Sequence, residues 1–324
     1  MNRRESLLAL GALAIAPRVR GQAERKVTIG VLSPSAPARG LALTQPFYAR
    51  MTELGWVEGR NVTYLRAYGG GDARKLDQLA AEMVARTPDL IFAGATPSAV
   101  AAHGVTKSIP IVFGVASSPI ELGLVKSLAR PGGNVTGVIS AFQSLVPKRL
   151  ELLSEFLPKA KRIGLLLDPA DPVSRAERAP LDAAASAIGL ELLAEDCRGP
   201  ADLERCIGAA AARGAEALLG STSPMLFGAA GRVIEISAKR QLPFAGGPSS
   251  FADAGALFGY SASLRAQFRR AAEFADRILR GEKPASLPVE QMNVVELWIN
   301  LKTARAFGIT VPQSVLLRAD RVIE

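Results

Sequence analysis

Six short segments combine Ser, Thr or Asp side chains with glycine or proline, and each comes directly before a segment with helical spacing. Three lie in the first half of the chain, at 33–37, 94–98 and 116–119, and three in the second half, at 168–172, 221–224 and 246–250. Side-chain oxygens of Ser, Thr or Asp at such positions accept hydrogen bonds from the free N–H groups of a helix's first turn. The same N–H groups, together with the helix dipole, bind carboxylates and other anions.

One such segment is an ordinary helix cap, but six of them at corresponding places in both halves favour a ligand-binding cleft. Ligands of open parallel sheets bind outside the carboxyl ends of the strands, so the sequence predicts a site for a neutral or anionic small molecule there. The candidate ligand-binding residues are Ser33, Ser35, Gly94, Ala95, Thr96, Pro97, Ser98, Ser117, Ser118, Pro119, Asp168, Pro169, Ser221, Thr222, Gly247 and Ser249.

The side chains that hydrolases and metal sites need are scarce in this chain. The single histidine, His103, and two cysteines argue against a Ser-His-Asp triad and against a zinc site. The sequence has no GxGxxG, GxxxxGK[ST] or GxSxG motif. Asp168 and Asp171 are interpreted as turn and cap residues rather than as an acid–base pair. We therefore predict a protein that is not an enzyme and that holds no cofactor and no metal.

The elements that must position these loops alternate along the chain, as parallel α/β units do. Strands are predicted at 26–32, 61–68, 89–94, 110–115, 162–168, 190–196, 217–221, 243–247 and 256–261, with a short one near Val289. Helices are predicted at 44–54, 72–86, 98–106, 121–129 and 264–280, with an Ala-rich one ending at Gly189 and a final one from Leu301. A length of 324 residues suits two lobes. We expect 24–138 plus 251–285 to form the first lobe, and 139–250 plus 286–324 to form the second.

The first 23 residues predict an export signal. Arg3 and Arg4 precede an apolar run at 7–16, and small residues follow at 21–23. Ten apolar residues span only about 15 Å as a helix, too short for a bilayer core of about 30 Å. The paired arginines are compatible with twin-arginine or ordinary secretory export, and no cysteine follows the run that could carry a lipid. We expect an unlipidated periplasmic protein that begins near Glu24.

The net charge of +9 does not indicate a nucleic-acid partner, because the basic residues are spread along the chain and no recognition motif accompanies them. The two cysteines, Cys197 and Cys206, fall at the end of a predicted strand and inside the next helix. A disulfide between them is chemically allowed in an oxidising compartment, but its geometry is demanding. The sequence therefore does not decide whether the two cysteines are bonded to each other.

Several longer runs resemble one family of transport proteins. They are 94–99 (GATPSA), 122–138 (LGLVKSLARPGGNVTGV), 148–158 (KRLELLSEFLP) and 296–312 (ELWINLKTARAFGITVP), with shorter matches at 54–62, 287–291 and 318–324. With these runs in order along the whole mature chain, the sequence resembles ABC-transporter substrate-binding proteins, a family with tryptophan- and aromatic-amino-acid-binding members.

The resemblance implies an α/β, type I periplasmic-binding-protein fold, with two Rossmann-like lobes and a hinge of three crossovers. It also implies that Thr96 and Ser98 hold a ligand's carboxylate or other polar end. Ser118 stands where many relatives have an Asp that could pair with a ligand's amino group, and Asp168-Pro169 stands where Asn-Pro is common. Because Ser118 brings no charge, we expect an aromatic or short aliphatic carboxylate in preference to a zwitterionic amino acid.

Taken together, these features predict a monomeric receptor that captures a small organic ligand and presents it to the membrane permease of an ABC importer. The alternative is a periplasmic sensor subunit of the same fold that presents its ligand to a membrane kinase or a chemoreceptor. A transcriptional regulator of similar fold would need a helix-turn-helix at the position that the export signal occupies.

Overall fold

A computed structural model describes residues 26–70, 72–140 and 145–324. The predicted export signal lies outside these residues. The described chain forms two separate sheets, each covered by helices, in agreement with the predicted alternation of strands and helices.

The first sheet has the spatial order β11-β5-β4-β3-β1-β2, and its neighbouring strands all pair in parallel. Its strands are β1 (Val27–Ser33), β2 (Val62–Tyr68), β3 (Leu90–Ala93), β4 (Ile111–Ala116), β5 (Val135–Ser140) and β11 (Glu290–Met292). Its helices are α1 (Pro37–Glu53), α2 (Ala73–Ala85), α3 (Thr96–Val105) and α10 (Leu264–Leu279). These elements constitute the first lobe.

The second sheet has the order β13-β12-β10-β9-β8-β6-β7, in which β10 and β12 are antiparallel and the other described pairs are parallel. Its strands are β6 (Arg162–Leu167), β7 (Glu191–Asp196), β8 (Ala217–Gly220), β9 (Phe244–Gly246), β10 (Phe258–Ala262), β12 (Val295–Asn300) and β13 (Arg321–Ile323). Its helices are α4 (Val146–Phe156), α5 (Pro172–Ala176), α6 (Arg178–Ala187), α7 (Leu203–Ala212), α8 (Pro224–Gly228), α9 (Ala230–Lys239), α11 (Leu301–Ala306) and α12 (Gln313–Leu316). These elements constitute the second lobe.

Each sheet is buried between its helices, as parallel sheets require. Strands β3 and β8 are buried along their whole length, which explains why they are short apolar runs without alternation. Helix α10 places Phe268 and Phe274 in the core of the first lobe, where the Phe268 ring lies 5.3 Å from that of Phe92, edge to face. No helix in the described ranges is long and apolar enough to cross a membrane.

The chain passes between the lobes three times, in the segments that join β5 to α4, β10 to α10 and β11 to β12. The predicted division into lobes is therefore wrong in two places. Strand β10 belongs to the second sheet, where it pairs with β9 and β12, and β11 belongs to the first, where it pairs with β5. Local patterns predict that a segment is a strand, but its sheet depends on partners distant in sequence.

The helix predicted at 121–129 is absent, and turns take its place. Gly123 adopts a φ of 66°, in the left-handed region that ends a right-handed helix. The N–H groups of Leu124 and Val125 both donate to the carbonyl oxygen of Pro119, which closes a compact turn after β4. The apolar residues of this segment therefore belong to a loop at the edge of the sheet and not to a helix.

Cys197 and Cys206 form a disulfide that joins the end of β7 to α7, with their Cα atoms 5.7 Å apart. The bond closes a loop with a sequence separation of nine, and both side chains are fully buried.

We expect the Cys197→Ala, Cys206→Ala double variant to lose about 2–3 kcal/mol of unfolding free energy, since the unfolded chain regains the closed loop's entropy. Urea unfolding measures this loss. Reductant should destabilise the wild type by a similar amount and leave the variant unaffected; a wild type insensitive to reductant during unfolding would contradict the bond.

Candidate functional site

The candidate residues of the first lobe follow three neighbouring strands. Ser33 is the last residue of β1 and Ser35 follows it, the segment 94–98 follows β3, and the segment 117–119 follows β4, while the sheet order places β4, β3 and β1 side by side. Two of these loops are in direct contact, because the backbone N–H of Ser117 donates to Thr96 Oγ1 at 3.0 Å. The predicted loops therefore lie together at the carboxyl edge of the first sheet.

Helices α1 and α3 begin at this edge without side-chain caps. The residues that precede them are Ala36 and Ala95, which have no side-chain oxygen, and neither helix has an acidic residue in its first turn. Ser98, in the first turn of α3, is fully buried, and its Oγ has no hydrogen-bond partner. The N–H groups that begin α1 and α3 are therefore not taken up by capping side chains, which suits an anion from outside the protein. The assignment of Thr96 and Ser98 to a ligand's carboxylate stays a prediction.

Ser118 has an unusual backbone conformation. Its φ of 45° lies in the left-handed region, which is uncommon for residues other than glycine. Such a conformation costs about 1–3 kcal/mol and persists where the surrounding structure holds it. Here the carbonyl oxygen of Ser118 accepts from the N–H of Leu122, and the following Pro119 is buried. The turn keeps the Ser118 side chain exposed at the edge of the sheet.

The candidate residues of the second lobe also follow three neighbouring strands, β6, β8 and β9. Asp168 and Pro169 follow β6, Ser221 and Thr222 follow β8, and Gly247 and Ser249 follow β9. A hydrogen bond of 2.6 Å between the hydroxyls of Ser221 and Ser174 joins the loop after β8 to α5.

Asp168 is 7% exposed and accepts two hydrogen bonds, both from neutral groups. The N–H of Ala170 donates to Oδ1 at 3.0 Å, and the Ser223 hydroxyl donates to Oδ2 at 2.8 Å. Among the described residues, no lysine or arginine pairs with this carboxylate. The lack of a charge at Ser118 leads to the expectation that the ligand end opposite its carboxylate is neutral. The loop after β6, however, provides a negative charge at Asp168.

The helices that follow β6 and β8 are capped by their own residues, unlike α1 and α3. Asp171 accepts from the N–H groups of Val173 and Ser174 at the start of α5, and Ser223 accepts from those of Met225 and Leu226 at the start of α8. Burial, more than any neighbouring group, raises the pKa of Asp171. The first lobe thus offers uncapped helix N-termini, while the second offers a carboxylate and hydroxyls.

A buried arginine lies beneath the loops of the second lobe, and sequence reasoning missed it. Arg149, on α4, is 1% exposed; its Nε donates to the carbonyl oxygen of Tyr260 at 2.9 Å and its Nη1 to Thr222 Oγ1 at 2.7 Å. A Cβ on Gly247 would lie 3.0 Å from its Cζ, so the loop after β9 packs directly on the guanidinium. Arg149 therefore holds together the loop after β8, the loop after β9 and strand β10.

Glu177 is the counter-charge of Arg149. Its Oε1 lies 3.8 Å from Arg149 Nη1, and its Oε2 accepts from the N–H of Thr222 at 2.9 Å. Burial lowers the pKa of the Arg149 guanidinium and raises that of the Glu177 carboxyl, and the attraction between the two charges opposes both shifts. Arg149 Nη2 and Glu177 Oε1 have no hydrogen-bond partner. The pair lies under the loops rather than at their surface, which indicates a positioning role.

Ser249 links the site to the crossover segments. Its hydroxyl donates to Glu296 Oε2 at 3.3 Å, and Glu296 Oε1 accepts from the hydroxyl of Ser263, the N-cap of α10. Ser249, Glu296 and Ser263 thus connect the loop after β9 with β12 and with the start of a first-lobe helix.

The two lobes touch across the cleft through Arg39 and Phe227. The Cζ of Arg39, in the first turn of α1, lies 3.7 Å from the ring centroid of Phe227, on α8. The Phe227 ring in turn lies 5.8 Å from that of Phe251. Because α1 and α8 begin at the loops after β1 and β8, this contact shows that the two carboxyl edges face each other.

Some of these missed residues had a signal in the sequence. Arg39 follows Pro37 at a helix start, where a basic residue is electrostatically unfavourable and therefore informative. Arg149 lies in the run 148–158, which resembles the family, but this resemblance does not indicate a buried ion pair. Glu177 and Glu296 carry no local signal, because their roles depend on partners from other elements.

Comparisons with known proteins agree with this architecture. Residues 35–323 match the family model described as ABC transporter substrate binding protein. The tyrosine-binding protein of Clostridioides difficile (strain R20291) is 28% identical over 263 residues, which cover 81% of this chain and 75% of that protein.

Solved structures superpose on nearly the whole chain. The crystal structure of an ABC domain in complex with L-Trp from Streptococcus pneumoniae is 25% identical, with a TM-score of 0.81 over 92% of this chain and 100% of that one. A ligand-free, open substrate-binding protein with adhesive properties from Clostridium difficile is 26% identical, with a TM-score of 0.71 over 92% of this chain and 99% of that one. The predicted fold class, two α/β lobes of the periplasmic-binding-protein type, is confirmed.

Proposed function

The chain belongs to the ABC transporter substrate-binding protein family, and from this premise we propose that it is an extracytoplasmic receptor of an importer. It captures a small organic ligand between its lobes, presents it to a membrane permease and catalyses no reaction. The observation that carries this proposal is the pair of opposed carboxyl edges, lined by the predicted loops and joined by Arg39 and Phe227.

The two edges differ in charge, and this difference favours a ligand with an anionic end. Uncapped helix N-termini at Thr96 and in the first turn of α1 suit a carboxylate on the first lobe. The Asp168 carboxylate, which has only neutral partners, suits a hydrogen-bond donor or an ammonium group on the second lobe. We therefore propose a small organic acid, and an α-amino acid is the ligand that matches both edges. L-Trp and tyrosine, the ligands in the names of the two relatives, are the first to test.

An extracytoplasmic location is supported by the family and by the disulfide between Cys197 and Cys206, since such bonds persist in oxidising compartments. A sensor subunit of the same fold remains the alternative, and no contact in the described residues favours it over a receptor for a permease.

A thermal-shift screen tests ligand capture. The panel contains L-tyrosine, L-tryptophan, L-phenylalanine, their deamino analogues and short aliphatic acids. A ligand present at 100 times its dissociation constant adds about 2.7 kcal/mol of stability, so we expect a clear rise in Tm for at least one acid. Calorimetry on that acid then gives the affinity. A panel without any stabilising acid would refute the proposed ligand class.

A further inference from the structure

Arg39 is a cation in an environment that offers it no counter-charge. Its guanidinium is half-buried against the Phe227 ring, and among the described residues no carboxylate or other acceptor pairs with it. Desolvation lowers the pKa of this guanidinium, and no neighbouring anion opposes the shift. Unpaired, partly buried charges are costly, so this arrangement calls for an anion that the protein itself does not supply.

The position of Arg39 in its helix strengthens this argument. Helix α1 is 17 residues long, and Arg39 lies in its first turn, at the positive end of the helix dipole. Ala36 provides no cap and the first turn has no acidic residue. A cation here is electrostatically unfavourable for the isolated helix, which argues against a purely structural reason for it.

The contact with Phe227 leaves the edge of the guanidinium available. An arginine has five N–H donors in the plane of its guanidinium, whereas a ring contact of this kind uses the face. Gly40, the next residue along α1, packs on Tyr68 and Ser33, so this turn of the helix lies against the carboxyl ends of β1 and β2. The contact with Phe227 places the Arg39 guanidinium between the carboxyl edges of the two lobes.

We propose that Arg39 is a specificity-determining residue, whose N–H groups bind the anionic group of the ligand while its face packs on Phe227 of the opposite lobe. This inference rests on the proposed function and adds a residue to it. A bound carboxylate neutralises Arg39 at the place where the lobes meet, so that the charge of the ligand and the closure of the cleft are coupled.

The test compares an acid with its primary amide, beginning with L-tyrosine and L-tyrosinamide and then L-tryptophan and its amide. The same acid–amide comparison is made for any other acid that stabilises the protein in the thermal-shift panel. Calorimetry gives both affinities for the wild type and for the Arg39→Met, Phe227→Leu and Arg50→Met variants. Arg50 lies on the same helix but pairs with Glu53 and Glu273 at the surface, which makes it a matched control.

We expect Arg39→Met to weaken binding of the acid about tenfold to a hundredfold more than binding of the amide. Phe227→Leu should weaken both ligands by the same factor, about twofold to thirtyfold, because it removes the ring contact but leaves the charge. Arg50→Met should change neither affinity. The Tm of ligand-free Arg39→Met should change little, since no charge pair is lost and the methionine sulfur can still pack on the Phe227 ring.

An unchanged ratio of acid to amide affinity in Arg39→Met overturns the inference and leaves the receptor function intact. If the wild type binds no acid of the panel, both the role of Arg39 and the proposed receptor function are overturned. The inference is also overturned if Phe227→Leu lowers the ratio of acid affinity to amide affinity as much as Arg39→Met does. The Phe227 ring, and not the Arg39 charge, would then distinguish the acid from the amide.

Discussion

Replacing Arg149 with methionine is expected to lower the unfolding free energy by about 3–5 kcal/mol, the usual cost of removing one partner from a buried ion pair. The loss arises because Glu177 remains buried without a counter-charge and because Thr222 and the Tyr260 carbonyl oxygen lose their donor. Urea unfolding measures it. A matched control is Lys148→Met, at the preceding position of α4, where the side chain is 42% exposed and its pair with Glu151 contributes at most about 1 kcal/mol.

Two further measurements separate a buried charge from lost packing. The Arg149→Met, Glu177→Gln double variant should recover much of the loss, because no uncompensated charge remains. The deficit of Arg149→Met should also shrink with acidification. A carboxyl whose pKa is raised on folding stabilises the protein while protonated, and this contribution disappears as pH rises through the raised pKa. Burial raises the pKa of Glu177 above its ordinary 4.5, so the deficit should be smaller near pH 5 than near pH 7.5. A deficit that is independent of pH and not recovered in the double variant would contradict this account.

Helices and strands with strong local patterns could be predicted closely. Helix α10 was expected at 264–280 and spans Leu264–Leu279, because its apolar face is regular and Ser263 caps it. Helix α1 was expected at 44–54 but begins at Pro37. Proline is favoured in the first turn of a helix, where its missing N–H costs nothing, so Pro37 marked the start rather than a loop.

The site residues that follow strand ends could be predicted from the sequence. Those whose roles depend on contacts between elements distant in sequence could not. Thr96 and Ser221 follow recognisable strands, so their loops could be placed at the sheet edges before the fold was known. The contact of Arg149 with Thr222 joins residues 73 positions apart, and no local pattern encodes it. Arg39 could have been noticed as a basic residue in an uncapped first turn, but only the structure places Phe227 of the other lobe against it.

Asp168 decides, in our proposal, whether the receptor prefers amino acids to their deamino analogues. Its carboxylate is buried, and its two partners, the Ala170 N–H and the Ser223 hydroxyl, are neutral. A carboxylate has about four acceptor positions, so it can take a further hydrogen bond from an ammonium group. Asparagine has nearly the same shape and can keep the bond from Ala170, which makes Asp168→Asn a change mainly of charge.

We expect Asp168→Asn to weaken the binding of L-tyrosine or L-tryptophan about tenfold to a hundredfold, since a hydrogen bond to a charged group contributes about 1.5–3 kcal/mol. The affinity for 3-(4-hydroxyphenyl)propionate or 3-indolepropionate, which lack the amino group, should change little.

Asp171→Asn is the matched control, because Asp171 caps α5 three residues away and asparagine is an equally good cap. Competition calorimetry with each amino acid and its deamino analogue gives the two affinities. Equal losses for both would mean that Asp168 only shapes the loop after β6, and unchanged affinities would mean that the ligand's amino group, if present, is bound elsewhere. The selectivity ratio therefore tests the charge of Asp168 separately from its part in holding Ser223 at the start of α8.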